Sequence, residues 1–174
     1  MGLSPSIYRD LEKIVGKKYL SSQKEERFCH SYDATGNSFL PDAVIFPENQ
    51  DQVAKIFKLA SREKIFIIPR GSGSGMTGGA IPVKGGVVLV TSRMNKILEI
   101  DEENFIARVE PGVVVASLHS ACEARGLFYP PDPASSAVCT IGGNIGECAG
   151  GPRAVKYGVT RDYVLGLTAV MPSG

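Results

Sequence analysis

Seven glycines fall among residues 71 to 86, between two short apolar runs, Ile65-Phe66-Ile67-Ile68 and Val87-Val88-Leu89-Val90-Thr91. No regular helix survives that density, because an interior Gly costs about 1 kcal/mol and a Pro such as Pro82 about 3 kcal/mol relative to Ala. The stretch therefore reads as strand, loop, strand. Its core, Pro69-Arg70-Gly71-Ser72-Gly73-Ser74-Gly75-Met76-Thr77-Gly78-Gly79, contains a literal GxGxxG over Gly73 to Gly78. The dinucleotide fingerprint, however, requires that loop to open a helix whose N-terminus receives the pyrophosphate. Here the next element is a strand, and no Gly-Lys-Ser/Thr closes the loop as a Walker A sequence would. What remains is a loop whose glycines let consecutive backbone N–H groups converge on one point. Such a nest binds a diphosphate through fixed dipoles. Ser72, Ser74 and Thr77 add hydroxyl donors, and Arg70 adds a charge. A mobile Gly/Ser loop is the alternative, and the position directly after an apolar strand argues against it.

The surrounding pattern sets the fold class. Ala43-Val44-Ile45-Phe46 reads as a strand, Val53, Ile56, Phe57 and Ala60 fall on one helical face, and Ile65 to Ile68 form the next strand. That is a βαβ unit, with parallel strands and a right-handed crossover. Unbroken apolar strands fit a sheet covered on both faces. Ile97 to Ile100 and Phe105 to Val109 flank Asp101-Glu102-Glu103-Asn104 as an antiparallel hairpin with a four-residue turn. Val113 to Arg125 follows as a helix closed by Gly126. Residues 129 to 158 are loop-rich, and a last strand is expected around Tyr163 to Met171.

Near the N-terminus, Ile7, Leu11, Ile14 and Val15 mark a short amphipathic helix between Ser4-Pro5 and Gly16, packing on the domain edge. Residues 21 to 41 read as loop. Pro172-Ser173-Gly174 is turn chemistry where a hairpin should return a partner strand, so the full-length protein is expected to continue past Gly174. The expected fold is α+β: a small parallel βαβ subdomain, then a largely antiparallel α+β subdomain whose C-terminal part is missing. The expected divisions are 1–41 (helix and loop), 42–92 (first subdomain) and 93–174 (second, incomplete).

At 174 residues the chain is long enough for one domain or two small subdomains sharing a core. Lys and Arg number 19 against 18 Asp and Glu, so no net field holds nucleic acid or an anionic membrane. An anionic ligand must be bound locally. Apolar stretches fall far short of the roughly 20 residues that cross a bilayer. Met1 to Pro5 lacks signal-peptide character, and Gly2 with only Ser6 in support is a poor myristoylation match. The four cysteines, Cys29, Cys122, Cys139 and Cys148, form no CxxC pair and read as reduced thiols, which points to the cytoplasm. His30 and His119 sit near no cysteine pair, so no metal site is expected.

A second small-residue segment runs Pro130-Pro131-Asp132-Pro133-Ala134-Ser135-Ser136-Ala137-Val138-Cys139-Thr140-Ile141-Gly142-Gly143-Asn144-Ile145-Gly146-Glu147-Cys148-Ala149-Gly150-Gly151. Two such segments in one small domain suggest backbone enclosing both sides of a long ligand, with glycines where a flat ring approaches. Taken together, Pro69 to Ala80, Pro130 to Asn144, Ala149 to Gly158 and Asp162-Tyr163-Val164-Leu165-Gly166-Leu167 resemble the FAD-binding domain of the vanillyl-alcohol-oxidase (PCMH) type. Within that family the chain is most similar to glycolate oxidase flavoprotein subunits and bacterial D-lactate dehydrogenases, over nearly its whole length.

The resemblance implies that Arg70, Gly71, Ser72, Gly73, Ser74, Gly75, Gly78 and Gly79 hold the FAD pyrophosphate and adjoining groups. It implies that Pro131, Asp132, Ser135, Ser136, Thr140, Gly142, Gly143 and Asn144 line the ribityl and isoalloxazine region, with Gly146, Gly150, Gly151 and Tyr157 completing that wall. Some relatives link the flavin to a histidine in the first loop. Residues 69 to 86 contain none, so FAD is expected to be noncovalent. The family's chemistry implies oxidation of a 2-hydroxy acid to the 2-oxo acid by hydride transfer to FAD, with electrons passed to an acceptor such as an iron-sulfur subunit. Its catalytic residues lie past Gly174, so none is assigned here. Two other readings remain: a catalytically inert flavin-binding or interaction fragment, and a nonflavin domain that keeps the fold. Arg153, Lys156 and Arg161 suit solvated surface as well as ligand contact. Cys139 and Cys148 are expected to be small packing residues.

Overall fold

The computed structural model describes residues 2–174 and divides into two compact units, Met1–Arg93 with Thr168–Gly174, and Met94–Leu167.

In the first unit, helix α1 (Pro5–Val15) starts at Ser4, whose side chain accepts the Ile7 amide, and stops at Gly16 with φ +87°. Pro at the first helical position and a left-handed glycine after the last are the expected punctuation. Strand β1 (Leu20–Ser21) and helix α2 (Lys24–Cys29) follow, then β2 (Ala43–Ile45), α3 (Gln50–Glu63), β3 (Ile67–Arg70) and β4 (Val87–Val90). The four strands order β1-β2-β4-β3, with β1 antiparallel to β2 and β4 parallel to both β2 and β3. The βαβ strands are thus parallel as the sequence suggests, but β4 lies between them. Adjacency was not readable, because all-apolar strands carry no alternation to fix a neighbour.

The sheet is covered on both faces. Ala43, Ile45, Val87 and Leu89 pack with Leu11, Val15, Leu20, Ile56 and Leu59, while Val44, Val88 and Val90 pack with Phe46 and Ile68. Helix α1 is therefore part of the core, with Leu11 fully buried, and is not an edge decoration. The expected loop at 21–41 contains α2 and an isolated bridge between Tyr32 and Ser38. Lys24-Glu-Glu-Arg-Phe-Cys29 is short and buries no residue, so no apolar stripe announced it.

In the second unit, β5 (Ile97–Asp101) and β6 (Ile106–Val109) form the antiparallel hairpin, with an irregularity between Ile97 and Glu99. Asp101 pairs with Ile106, which shifts the four-residue turn to 102–105. Helix α4 (Val115–Glu123) is shorter than 113–125, because Val114 makes a bridge with Thr140; Gly126 has φ +70° just past its end. Helices α5 (Ile141–Glu147) and α6 (Ala154–Tyr157) arise inside the expected loop. Val113, Val115, Leu118, Cys122, Cys139 and Ile141 make this unit's core.

The expected strand at 163–171 is not formed. A 3₁₀ turn covers Thr160–Tyr163, and residues 164–170 are irregular. Val164 is extended, with φ −89° and ψ 104°, but a strand also needs a ladder partner, and none pairs with it among the described residues. Residues 171–174 do turn, the Gly174 amide donating to the Met171 carbonyl at 2.8 Å.

Candidate functional site

In the first unit, β3 delivers the chain into the glycine segment. The Arg70 carbonyl still accepts the Thr91 amide at 3.0 Å, so the sheet ends with that residue. The Arg70 side chain turns inward; it is 5 % exposed and donates from Nη1 to the Ala80 carbonyl at 3.2 Å. Gly73 has φ +77°, and a Cβ there would fall on the Arg70 guanidinium, so any other residue strains the backbone and displaces that side chain. The amides of Gly71, Ser72, Gly73, Ser74 and Gly75 have no acceptor among the described residues. Ser72 donates to the Ser74 hydroxyl at 3.2 Å, and the Gly79 amide donates to Thr77 Oγ1 at 3.3 Å.

A residue that sequence reasoning missed lies against this segment. Asp33 is 5 % exposed, and the neighbouring Ala34 amide donates to the Gly75 carbonyl at 3.1 Å. The signal was the Asp-Ala-Thr-Gly spacing, in which the carboxylate caps a turn by accepting from the residue two positions on. Burial opposes ionisation of Asp33, yet hydrogen bonds from the Thr35 hydroxyl and amide, with help from Gly78 and Arg70, bring its pKa below the usual carboxylate value. Burial pulls Arg70 below the usual guanidinium range, and the Asp33 charge works against that.

In the second unit, the candidate residues gather around α5. Thr140 caps it, Oγ1 accepting the Gly143 amide at 3.3 Å. Gly142 is packed against Pro111, where a Cβ would sit 2.7 Å from the Pro111 Cβ, while a Cβ at Gly146 would meet nothing within 4 Å outside its own helix backbone and chain neighbours among the described residues. Asn144 is 3 % exposed, and its Nδ2 has no hydrogen-bond partner among the described residues. Beside this helix, the Asp132 amide donates to the Gly150 carbonyl at 3.2 Å. Gly151 lies so close to the Asp132 carbonyl that no Cβ fits. Asp132 also pairs with Arg153 at 3.2 Å, which places Arg153 in a specific contact. The Pro131 carbonyl is bonded to His119 Nε2 at 2.8 Å. Ser135 and Ser136 form turns, the Ser136 carbonyl accepting the Ala116 amide. Tyr157 stands edge-on to Phe128, with ring centroids 5.5 Å apart. Burial pushes the Cys139 thiol up, which suits packing and not nucleophilic attack.

The sequence pattern of the FAD binding domain family matches residues 41–174. This chain belongs to the FAD binding domain family. Its cofactor is FAD. The chain is 46% identical over 173 residues to glycolate oxidase subunit GlcD of Bacillus subtilis (strain 168), covering 99% of this chain and 37% of the relative. It is 38% identical to D-lactate dehydrogenase of Anaerostipes hadrus, covering 99% and 36%. Among solved structures, an alkyldihydroxyacetonephosphate synthase superposes with TM-score 0.88 at 26% identity, covering 99% of this chain and 37% of that one. The chain thus spans little more than a third of the length of the curated relatives it matches.

For an FAD binding domain, the chain's own groups fit the cofactor. Five successive amides without acceptors suit a diphosphate, and the orphaned Asn144 amide, a buried donor that is costly to leave unmade, suits a polar flavin edge. No helix in the structure is long and apolar enough to cross a membrane among the described residues.

Proposed function

We propose that the two glycine segments hold a single noncovalent FAD in an enzyme that oxidises a 2-hydroxy acid, such as glycolate or D-lactate, to the 2-oxo acid. In this reading Arg70 to Gly75, with Gly78 and Gly79, form the diphosphate seat. Pro131, Asp132, Ser135, Ser136, Thr140, Gly142, Gly143, Asn144, Gly146, Gly150, Gly151 and Tyr157 line the ribityl and ring region. Bound FAD supplies a two-electron acceptor for the substrate's α-hydrogen as hydride. The chain's own work is placement. Unpartnered amides of Gly71 to Gly75 offer fixed dipoles to the phosphates, and Asn144 offers Nδ2 to a ring acceptor.

The run of free amides carries the proposal, because five successive amides, Gly71 to Gly75, that bond nothing else among the described residues are left for an anion. The names of the relatives above, which specify glycolate and D-lactate, support the substrate class. One of those relatives is named as a subunit, which supports an electron-accepting partner, proposed here as an iron-sulfur subunit. Absence of histidine from residues 69–86 supports a noncovalent flavin. Four unpaired cysteines agree with a cytoplasmic setting. The proposed divisions remain 42–92 and 93–174 as first and second FAD-binding subdomains, preceded by 1–41. Titration of the chain with FAD, followed by gel filtration and a visible spectrum, tests the cofactor part: a retained flavin band is expected, and a colourless protein peak refutes it. In the full-length protein, anaerobic bleaching of that band by D-lactate or glycolate is expected; persistent yellow colour with both, and with D-2-hydroxyglutarate, overturns the substrate class.

A further inference from the structure

Arg153 has no part in the function above, yet its side chain ties together two passages of the second unit. One passage, 128–133, carries Pro131 and Asp132; the other, 149–157, carries Gly150, Gly151 and Tyr157. Their backbones meet at one hydrogen bond, the Asp132 amide donating to the Gly150 carbonyl at 3.2 Å, and at one close approach, Gly151 with φ +107° against the Asp132 carbonyl. Glycine is the most conformationally free residue, so this joint has little stiffness of its own. Arg153 follows two positions later and reaches back to the first passage. Its Nε meets Asp132 Oδ2 at 3.2 Å, and its guanidinium carbon stands 5.2 Å from the centre of the Phe128 ring. Phe128 in turn sits edge-on to Tyr157, with centroids 5.5 Å apart. With Arg153 41 % exposed, the ion pair alone adds little. A guanidinium that also covers an aromatic face is held by two contacts at once, and its plane suits both.

We propose that Arg153 is a positioning residue for the second glycine segment, a brace that pins 128–133 to 149–157 so that Asp132, Gly150 and Gly151 keep one fixed wall for the flavin ring. This rests on the reading of those residues as the ring wall. It gives Arg153 a supporting role and no ligand contact.

The test compares wild type, Arg153→Met, Arg153→Lys, Asp132→Asn and the double variant Asp132→Asn/Arg153→Met. Each is measured by amide hydrogen exchange of the FAD-free chain and by FAD titration with a visible spectrum. In Arg153→Met the stem is kept while the charge and the plane are lost. Exchange at the Asp132 amide is expected to rise about fivefold and FAD affinity to fall about fivefold, while exchange in the β5–β6 hairpin is unchanged. At saturation the visible band of its bound FAD is expected to move toward that of free FAD, a change that lost stability alone does not produce. Arg153→Lys keeps the charge without the plane and is expected to fall between wild type and Arg153→Met. Asp132→Asn and Arg153→Met break the same pair, so the double variant is expected to match Arg153→Met and not the product of both losses. An unmoved band, wild-type exchange at Asp132 in Arg153→Met, or losses that multiply overturns the brace while leaving FAD binding intact. Should Arg153→Met fold poorly, Arg153→Lys decides: intermediate exchange supports the brace, and wild-type exchange overturns it. A wild-type chain that binds no FAD overturns the ring-wall reading instead.

Discussion

The glycines of the second segment look alike in the sequence but do different work. Gly142 is required by Pro111, whose Cβ and carbonyl oxygen would lie 2.7 and 2.9 Å from an added Cβ. Gly146 has open space around it in the same helix. Gly142→Ala is expected to destabilise the fold by about 1–3 kcal/mol through overpacking. Gly146→Ala is expected to stabilise it by about 0.5–1 kcal/mol through helix propensity, yet to weaken FAD binding if that space admits the flavin. Urea denaturation beside FAD titration separates the two effects; equal destabilisation by both substitutions contradicts the assignment. Tyr129 gives a prediction of another kind. Burial raises its pKa to about 12, so the folded state holds the phenol proton more tightly than the unfolded chain. Stability present below about pH 10 is therefore lost as pH rises toward about 12. Denaturation midpoints measured across that range should fall more steeply for wild type than for Tyr129→Phe.

Elements were legible where punctuation and period agreed. Ser4-Pro5 and Gly16 bracket α1, and Val53, Ile56, Phe57 and Ala60 mark the apolar face of α3, so both helices could be read directly; Asn49, which caps α3 by accepting the Gln52 amide at 2.9 Å, was found in the structure. Helix α5 could not, since Ile-Gly-Gly-Asn-Ile-Gly-Glu has three glycines in seven residues. It forms because Thr140 caps it while Ile141 and Asn144 are buried, so tertiary contacts override propensity. Thr140→Ala is accordingly expected to cost about 1 kcal/mol and to loosen Asn144, with Thr140→Ser restoring most of it. Hydrogen exchange at 143–147 checks this, and unchanged protection contradicts it. The opposite error occurred at 163–171, where apolar, branched residues suggested a strand. Leu165, Leu167 and Met171 are exposed, because strand propensity without a ladder partner fixes nothing.

At the scale of the whole molecule, composition excluded more than it specified. Near-neutral charge ruled out a general attraction for polyanions, and the first glycine segment pointed to local amide donors. Asp33 was not foreseen, since one aspartate in a polar stretch reads as surface until the fold buries it. A seat built of backbone amides should bind FAD with weak salt dependence. Affinity is expected to change less than about threefold between roughly 0.05 and 0.5 M NaCl, and a tenfold loss would indicate cationic side chains as the main donors. Both glycine segments are proposed to serve one FAD. Hydrogen exchange with and without saturating FAD checks this: slowed exchange in residues 71–79 and in residues 141–151 together is expected, and protection of one segment alone, or of neither, contradicts a shared ligand.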